Sequence, residues 1–94
     1  MSDVEHPGAQ PSTVIVETLR SAARQRRRVR ALLRAESLEG GPDYERFWEP
    51  YGVTDADAVV FSILRNEFRH VALNTIVRVE LCPQTFEPRR PIED

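Results

Sequence analysis

The sequence lacks lysine: all 13 of its cationic side chains are arginine. It holds a single cysteine, Cys82, which excludes an internal disulfide and a zinc site built from several cysteines of one chain. No apolar run approaches the roughly 18 residues that a membrane span needs. Residues 1–13 show neither the cationic nor the apolar segment of a secretory signal. We therefore expect a cytoplasmic protein that has no membrane partner.

Motifs of the common catalytic sites are absent as well. There is no glycine loop that would cradle a phosphate, no Gly-x-Ser-x-Gly elbow and no motif of paired carboxylates. The 94 residues are 40% hydrophobic and 30% charged with a net charge of −2, which is a globular composition and enough chain for one domain. These features predict a non-catalytic protein that holds no cofactor.

Proline and glycine divide the chain into three parts. Residues 1–11 contain two prolines and a glycine and have little apolar content, which predicts a flexible N-terminal arm. Residues 83–94 contain three prolines and predict an extended C-terminal tail. Residues 12–82 between them form the predicted single helical domain.

The first proline-free stretch, 12–39, has the apolar spacing of a helix. Ser12 or Thr13 follows Pro11 and can cap its start. Apolar residues recur at spacings of three, four and seven along one face: Ile15, Leu19, Ala22, Val29 and Leu33. Gly40 and Gly41 would end this helix. The alternative is a short strand over 13–16, because three β-branched apolar residues follow one another there.

A connector, residues 40–52, separates this stretch from the next. Pro42 suits the first turn of a helix, so the connector predicts a short helix. It gathers most of the aromatic residues of the chain: Tyr44, Phe47, Trp48 and Tyr51. We interpret them as a cap over the open end of a helical hairpin or as a partner-binding patch, since tyrosine and tryptophan often anchor interfaces.

A second helix is predicted from residue 54 onward, and it is apolar on nearly all sides. Thr54 to Asp57 resembles a capping box. Residues 75–81 stay open between a continued helix and a strand, because β-branched residues alternate there. The fold expected is mostly α: an antiparallel helical hairpin with a short aromatic connector helix and extended N- and C-terminal tails. A second copy would complete a four-helix bundle and cover the apolar second helix.

The arginines concentrate in residues 12–36, which hold seven of them against two glutamates. Those on the helix face opposite the apolar stripe are Arg20, Arg24, Arg27, Arg28 and Arg34. Three interpretations compete: a solvated face, a docking surface for an acidic protein or a second copy, and phosphate binding on nucleic acid. The rest of the chain is acidic, which argues against nucleic-acid binding.

Two residues of the second helix suggest further roles. An antiparallel hairpin would place Arg26 within one turn of Glu67, which predicts a partly buried ion pair that fixes the register. Glu67 and His70 are three positions apart, the spacing that helical bundles use to chelate iron. Only one copy of that motif is present and Arg69 would oppose a cation, so the match is weak.

The leading functional hypothesis is a small non-catalytic subunit or adaptor of a cytoplasmic assembly. It would dock on a protein partner or form a homo-oligomer through the arginine-rich helix and the apolar second helix, with Phe86 of the tail as a further anchor. The alternative is a nucleic-acid-associated protein. The third hypothesis is a dimeric metal-binding bundle that uses Glu67 and His70.

Overall fold

The computed structural model describes residues 9–35 and 43–92, and within them the chain is mostly β, with five strands and one α-helix. The elements are α1 (Ser12–Gln25), β1 (Arg27–Leu33), β2 (Tyr44–Val53), β3 (Asp57–Ser62), β4 (Glu67–Ala72), a 3-10 turn (Leu73–Thr75) and β5 (Ile76–Thr85). The strands form one antiparallel sheet in the order β4-β3-β2-β1-β5. The prediction of a mostly α helical hairpin or four-helix bundle is wrong.

The first predicted helix is confirmed only over α1, and this also rules out the alternative strand over 13–16. The helix ends because Arg26 adopts a left-handed conformation, with φ 55° and ψ 46°. In β1 the burial alternates, with Val29, Ala31 and Leu33 inside. Positions 29 and 33 therefore fit both a helical and an alternating pattern, and the structure follows the alternation. The predicted helix end at Gly40 lies outside the described residues.

The prediction of a short helix in the connector is wrong, because the structure has strand β2 there. Pro50 lies inside this strand at a shift of register between Pro50 and Gly52, and a bulge is a place where a sheet tolerates proline. The predicted helix start at Pro42 lies outside the described residues.

The prediction of a second helix is wrong as well, because this part of the chain forms the β3–β4 hairpin followed by β5. Asn66, with φ 58°, turns the chain between β3 and β4, and its N–H donates to the Ser62 carbonyl at 2.7 Å. The apolar character of β3 on all sides arises because both faces of this strand are buried. Of the two alternatives for residues 75–81, a continued helix or a strand, the structure has the strand from Ile76 onward.

Two apolar clusters lie on the two sides of the sheet. On one side, α1 packs on the sheet through Ile15, Leu19 and Ala22. The strands meet these helix residues with Val29, Ala31, Leu33, Trp48, Ala58, Val60, Ile76 and Val79. On the other side, residues 86–92 return over the sheet and complete a second cluster. Its members are Tyr51, Val59, Phe61, Phe68, Phe86 and Ile92. Most of the predicted C-terminal tail is therefore packed on the chain's own sheet.

Candidate functional site

The two end strands of the sheet differ in how their outer edges are satisfied. At β5, the Gln10 N–H donates to the Val77 carbonyl at 3.0 Å. The Gln10 side chain then bonds Val79 twice: its Oε1 accepts from the Val79 N–H at 2.9 Å, and its Nε2 donates to the Val79 carbonyl at 3.2 Å. Farther along β5, Pro83 has no N–H to offer. Gln10 thus takes the place of a neighbouring strand along part of β5.

The strand β4 at the opposite end pairs only with β3 among the strands of the described ranges. Its Leu73 end is fixed by a bond from the Leu73 N–H to the Ala56 carbonyl at 2.8 Å, next to the pair Asp57 and Ala72. In an antiparallel ladder, such a flanking bond marks a pair whose own N–H and C=O groups point away from each other. By alternation, the backbone groups that point out of the sheet belong to Phe68, His70 and Ala72.

A groove lies beside β4 on the face of the sheet that carries α1. The helix packs mainly on β1, β2 and β5, and it has no comparable packing on β4 at the end of the sheet. The groove has a volume of about 170 Å³, and its apolar and aromatic lining includes Leu33, Tyr44 and Trp48. Its charged lining consists of Arg46, Arg65 and Arg69, and no described residue that lines it carries a carboxylate. We call this the arginine groove.

The three arginines of the arginine groove are held to different degrees. The Arg46 guanidinium stacks 4.5 Å from the centre of the Tyr44 ring and donates to the Glu45 carbonyl at 2.8 Å. Arg69 donates to the Glu67 carboxylate at 2.9 Å. Arg65 is exposed in the β3–β4 turn and forms no ion pair with any described residue. The groove therefore presents positive charge that the described part of the chain only partly balances.

The opposite face of the sheet is held together by the tail. The Glu49 carboxylate, 2% exposed, accepts from Arg28 at 3.3 Å and from Arg89 of the tail at 3.0 Å. The Arg89 guanidinium also lies 3.9 Å from the centre of the Phe61 ring. Bonding to Glu49 is the main cause that raises the pKa of Arg89 above its ordinary value. This face is thus already occupied where the tail crosses it.

A second carboxylate on this face, Glu80, bridges two arginines. It accepts from Arg30 and, at 2.6 Å, from Arg78. These two hydrogen bonds, first the one from Arg30, hold the pKa of Glu80 below its ordinary value of 4.5. The same bond raises the pKa of Arg30.

The structure does not place the five predicted docking arginines on one surface. Arg20 and Arg24 lie on α1, whereas Arg27 and Arg28 belong to β1. Arg27 donates to the Cys82 carbonyl at 2.9 Å, and Arg34 donates to the Asn74 carbonyl at 3.1 Å. An arginine-rich helix that docks together with an apolar second helix is therefore not what this chain forms.

The predicted aromatic patch is divided between the two sides of the sheet. Trp48 is buried in the cluster under α1 and Tyr51 in the cluster under the tail. Tyr44 lines the arginine groove, and Phe47 is 47% exposed on the tail side. Phe86, predicted to reach a partner, is buried against Tyr51 with the ring centres 5.5 Å apart.

Arg26 and Glu67 are not brought together. Arg26 precedes β1, Glu67 begins β4, and strands β2 and β3 lie between them. Glu67 and His70 also separate, because residues three apart on a strand point to opposite faces. His70 instead lies 4.0 Å from Asp57. No group of three metal-binding side chains occurs within residues 9–35 and 43–92.

Sequence reasoning missed the open edge of β4, Gln10 and the arginine groove. The signal for β4 was short, an alternation of charged and apolar residues over Glu67, Phe68 and Arg69 only. It was absorbed into the apparent second helix. No such signal marks Gln10, whose role depends on a strand that lies far away in sequence.

No protein-family model matches the sequence, and no curated protein matches it significantly. In the described part of the chain, no helix is both long enough and apolar enough to cross a membrane.

Proposed function

We propose that this chain is a non-catalytic interaction module that binds an extended segment of another protein along β4. The observation that carries the proposal is the difference between the two ends of the sheet: Gln10 bonds the outer edge of β5, while β4 has no such cover among the described residues. An extended peptide that adds to an exposed edge gains main-chain hydrogen bonds without any special side chain. The outward groups of Phe68, His70 and Ala72 are the donors and acceptors for it.

A different protein is a better partner for β4 than a second copy of the chain. Two copies of β4 pair antiparallel through their outward groups in two registers of greatest overlap. One register places Arg69 opposite Arg69, and the other places His70 opposite His70. Neither register offers an opposite charge across the new pair, and like charges directly opposite destabilise a sheet. Short length and charged side chains are also the usual means by which an edge avoids self-association.

Nucleic-acid binding has less support from the geometry. Two of the arginines that the sequence predicts on one helix face already have partners in the fold. Arg28 forms an ion pair with the buried Glu49, and Arg27 donates to a backbone carbonyl. A binding surface for nucleic acid needs arginines that remain available to phosphates. The predicted iron site has no support, since Glu67 and His70 lie on opposite faces of β4.

The test uses the outward N–H of His70, which proline removes. In an edge strand whose N–H faces solvent, proline is tolerated, and the His70 side chain is 64% exposed. His70→Pro should therefore fold but lose binding, whereas His70→Ala keeps the N–H and should bind like the wild type. The probe is a capped eight-residue peptide that alternates threonine and glutamine, titrated while the backbone amides are followed by NMR.

The expected result is that the bound peptide protects the amides of residues 68, 70 and 72 from hydrogen exchange, both in the wild type and in His70→Ala. Circular dichroism and thermal unfolding confirm that His70→Pro is folded. Equal peptide binding by the proline and alanine variants would rule out strand addition at β4. Protection that appears at β5 instead of β4 would do the same.

A further inference from the structure

We infer that the segment recognised along β4 is acidic, with carboxylates on alternate residues that face the arginine groove. This inference rests on the proposed function, because it names the chemistry of the partner at the same edge. It starts from the charges at this end of the sheet. Arg46, Arg65 and Arg69 line the groove, and within residues 9–35 and 43–92 the carboxylate that pairs with one of them is that of Glu67.

The alternation of a strand decides which partner side chains meet the groove. Side chains of β4 alternate between the two faces, and Arg69 lies on the face of the groove, whereas Phe68 packs in the cluster under the tail. An added strand alternates in the same way, so every second side chain stands beside Arg69 and Arg65. Cross-strand pairs of opposite charge stabilise a sheet. Glutamates at these alternate positions of the added strand would face the groove and would pair with its arginines.

The side chains of the partner on the other face meet a different surface. Phe68 lies there beneath Arg90, whose guanidinium is 4.0 Å from the centre of the phenylalanine ring. The alternation of β4 places the exposed side chain of His70 on the same face, where it lies 4.0 Å from Asp57. This surface offers small polar or β-branched side chains a place beside β4, so threonine is a suitable residue at the intervening positions.

Arginine rather than lysine suits this role. The guanidinium is planar and can bind a carboxylate through two parallel hydrogen bonds. Arg65 has no ion pair with the described residues, so within that part of the chain it gives up no carboxylate partner when it binds. Arg69 exchanges its contact with Glu67 for one with the added segment, or binds both.

The experiment compares three capped eight-residue peptides in which threonine alternates with glutamate, glutamine or lysine. Affinities are measured by NMR titration at low and high salt. The acidic peptide should bind about fivefold more tightly than the glutamine peptide at low salt, and the lysine peptide more weakly than either. High salt should reduce the difference, because exposed charges are screened.

Matched variants separate the groove from general charge. Arg65→Gln/Arg69→Gln should remove the preference for glutamate while the glutamine peptide still binds. Arg20→Gln/Arg24→Gln removes the same net charge from α1, away from β4, and should keep the preference. A preference that survives in the first variant, or disappears equally in both, overturns the inference.

The failure of this inference is distinguishable from failure of the proposed function. If all three peptides bind alike and His70→Pro abolishes binding, strand addition at β4 stands and the acidic partner does not. If no peptide binds the wild type, both are contradicted. Tighter binding of a short single-stranded oligothymidylate than of the acidic peptide, lost in Arg65→Gln/Arg69→Gln, would assign the groove to nucleic acid instead.

Discussion

At the scale of single residues, two carboxylates hold the sheet face that the tail crosses, and each accepts from two arginines. Glu49 is buried and accepts from Arg28 and Arg89, whereas Glu80 is half-exposed and accepts from Arg30 and Arg78. Both carboxylates join elements that are distant in the sequence. Because the pKa of Glu80 is lowered by its contacts with the arginines, these contacts make the stability of the fold depend on pH.

The pH dependence follows from the lowered pKa of Glu80. Its pKa in the folded chain lies below the ordinary value of 4.5, so ionised Glu80 stabilises the fold above that pH. The contribution is lost as the pH falls through the lowered pKa. Glu80→Gln should therefore reduce stability at neutral pH and reduce it less at an acidic pH, because the wild-type carboxyl becomes protonated as the pH falls through its lowered pKa. Urea denaturation at the two pH values measures this.

The control for Glu80→Gln is Glu87→Gln. Glu87 is exposed in the tail and, unlike Glu80, forms no ion pair with any described residue. Its substitution should leave the free energy of unfolding nearly unchanged at both pH values. A loss of stability in Glu80→Gln that is the same at both pH values would mean that the side chain acts through packing, not charge.

At the scale of elements, the junction between α1 and β1 depends on Arg26. This residue has φ 55°, a conformation that favours glycine because a Cβ atom is crowded there. Arg26→Gly should therefore stabilise the fold by about 1 kcal/mol, and Arg26→Val should destabilise it. Chemical denaturation of the two variants gives the sign and size of each change.

The neighbouring helix position supplies the comparison for Arg26. Arg24 lies in the last turn of α1, where glycine costs about 1 kcal/mol relative to a good helix former. Arg24→Gly should therefore destabilise the fold, so the same substitution two positions apart has opposite signs. If both glycine variants destabilise, residue 26 gains more from its side chain than it loses in backbone strain.

The same junction explains why the sequence could reveal only part of the fold. The start of α1 and its apolar face were predictable from Pro11 and from the spacing of Ile15, Leu19 and Ala22. Its end was not, because an arginine takes the position where a glycine would normally signal the stop. The next glycine is Gly40, so the predicted helix ran through β1.

A second source of error is that a strand buried on both faces has no alternation. The residues of β3 are apolar without a break from Ala58 to Phe61, and such a run fits a buried helix as well as a buried strand. Only the packing of α1 on one side and the tail on the other decides between them. The candidate site at β4 was unpredictable for a related reason: an edge is defined by the order of the strands in the sheet, which the sequence does not contain.

At the scale of the whole molecule, the sheet has a core on each side, and the C-terminal tail supplies part of the second. Phe86 is 7% exposed and its N–H donates to the Arg26 carbonyl at 2.9 Å. The tail thus ties the end of the chain to the junction between α1 and β1. An end segment that carries two arginines and a buried phenylalanine onto the sheet is part of the fold.

Phe86→Ala tests this role of the tail against a matched phenylalanine. Removing a buried phenylalanine side chain costs about 3 kcal/mol or more, through lost burial and the cavity left behind. Phe47 is 47% exposed on the same face, and Phe47→Ala should cost about 1 kcal/mol or less. Thermal and urea unfolding measure the two variants side by side. Equal, small losses would show that the tail leaves the sheet in solution, and the aromatic surface of Tyr51, Phe61 and Phe68 would then be open to a partner as well.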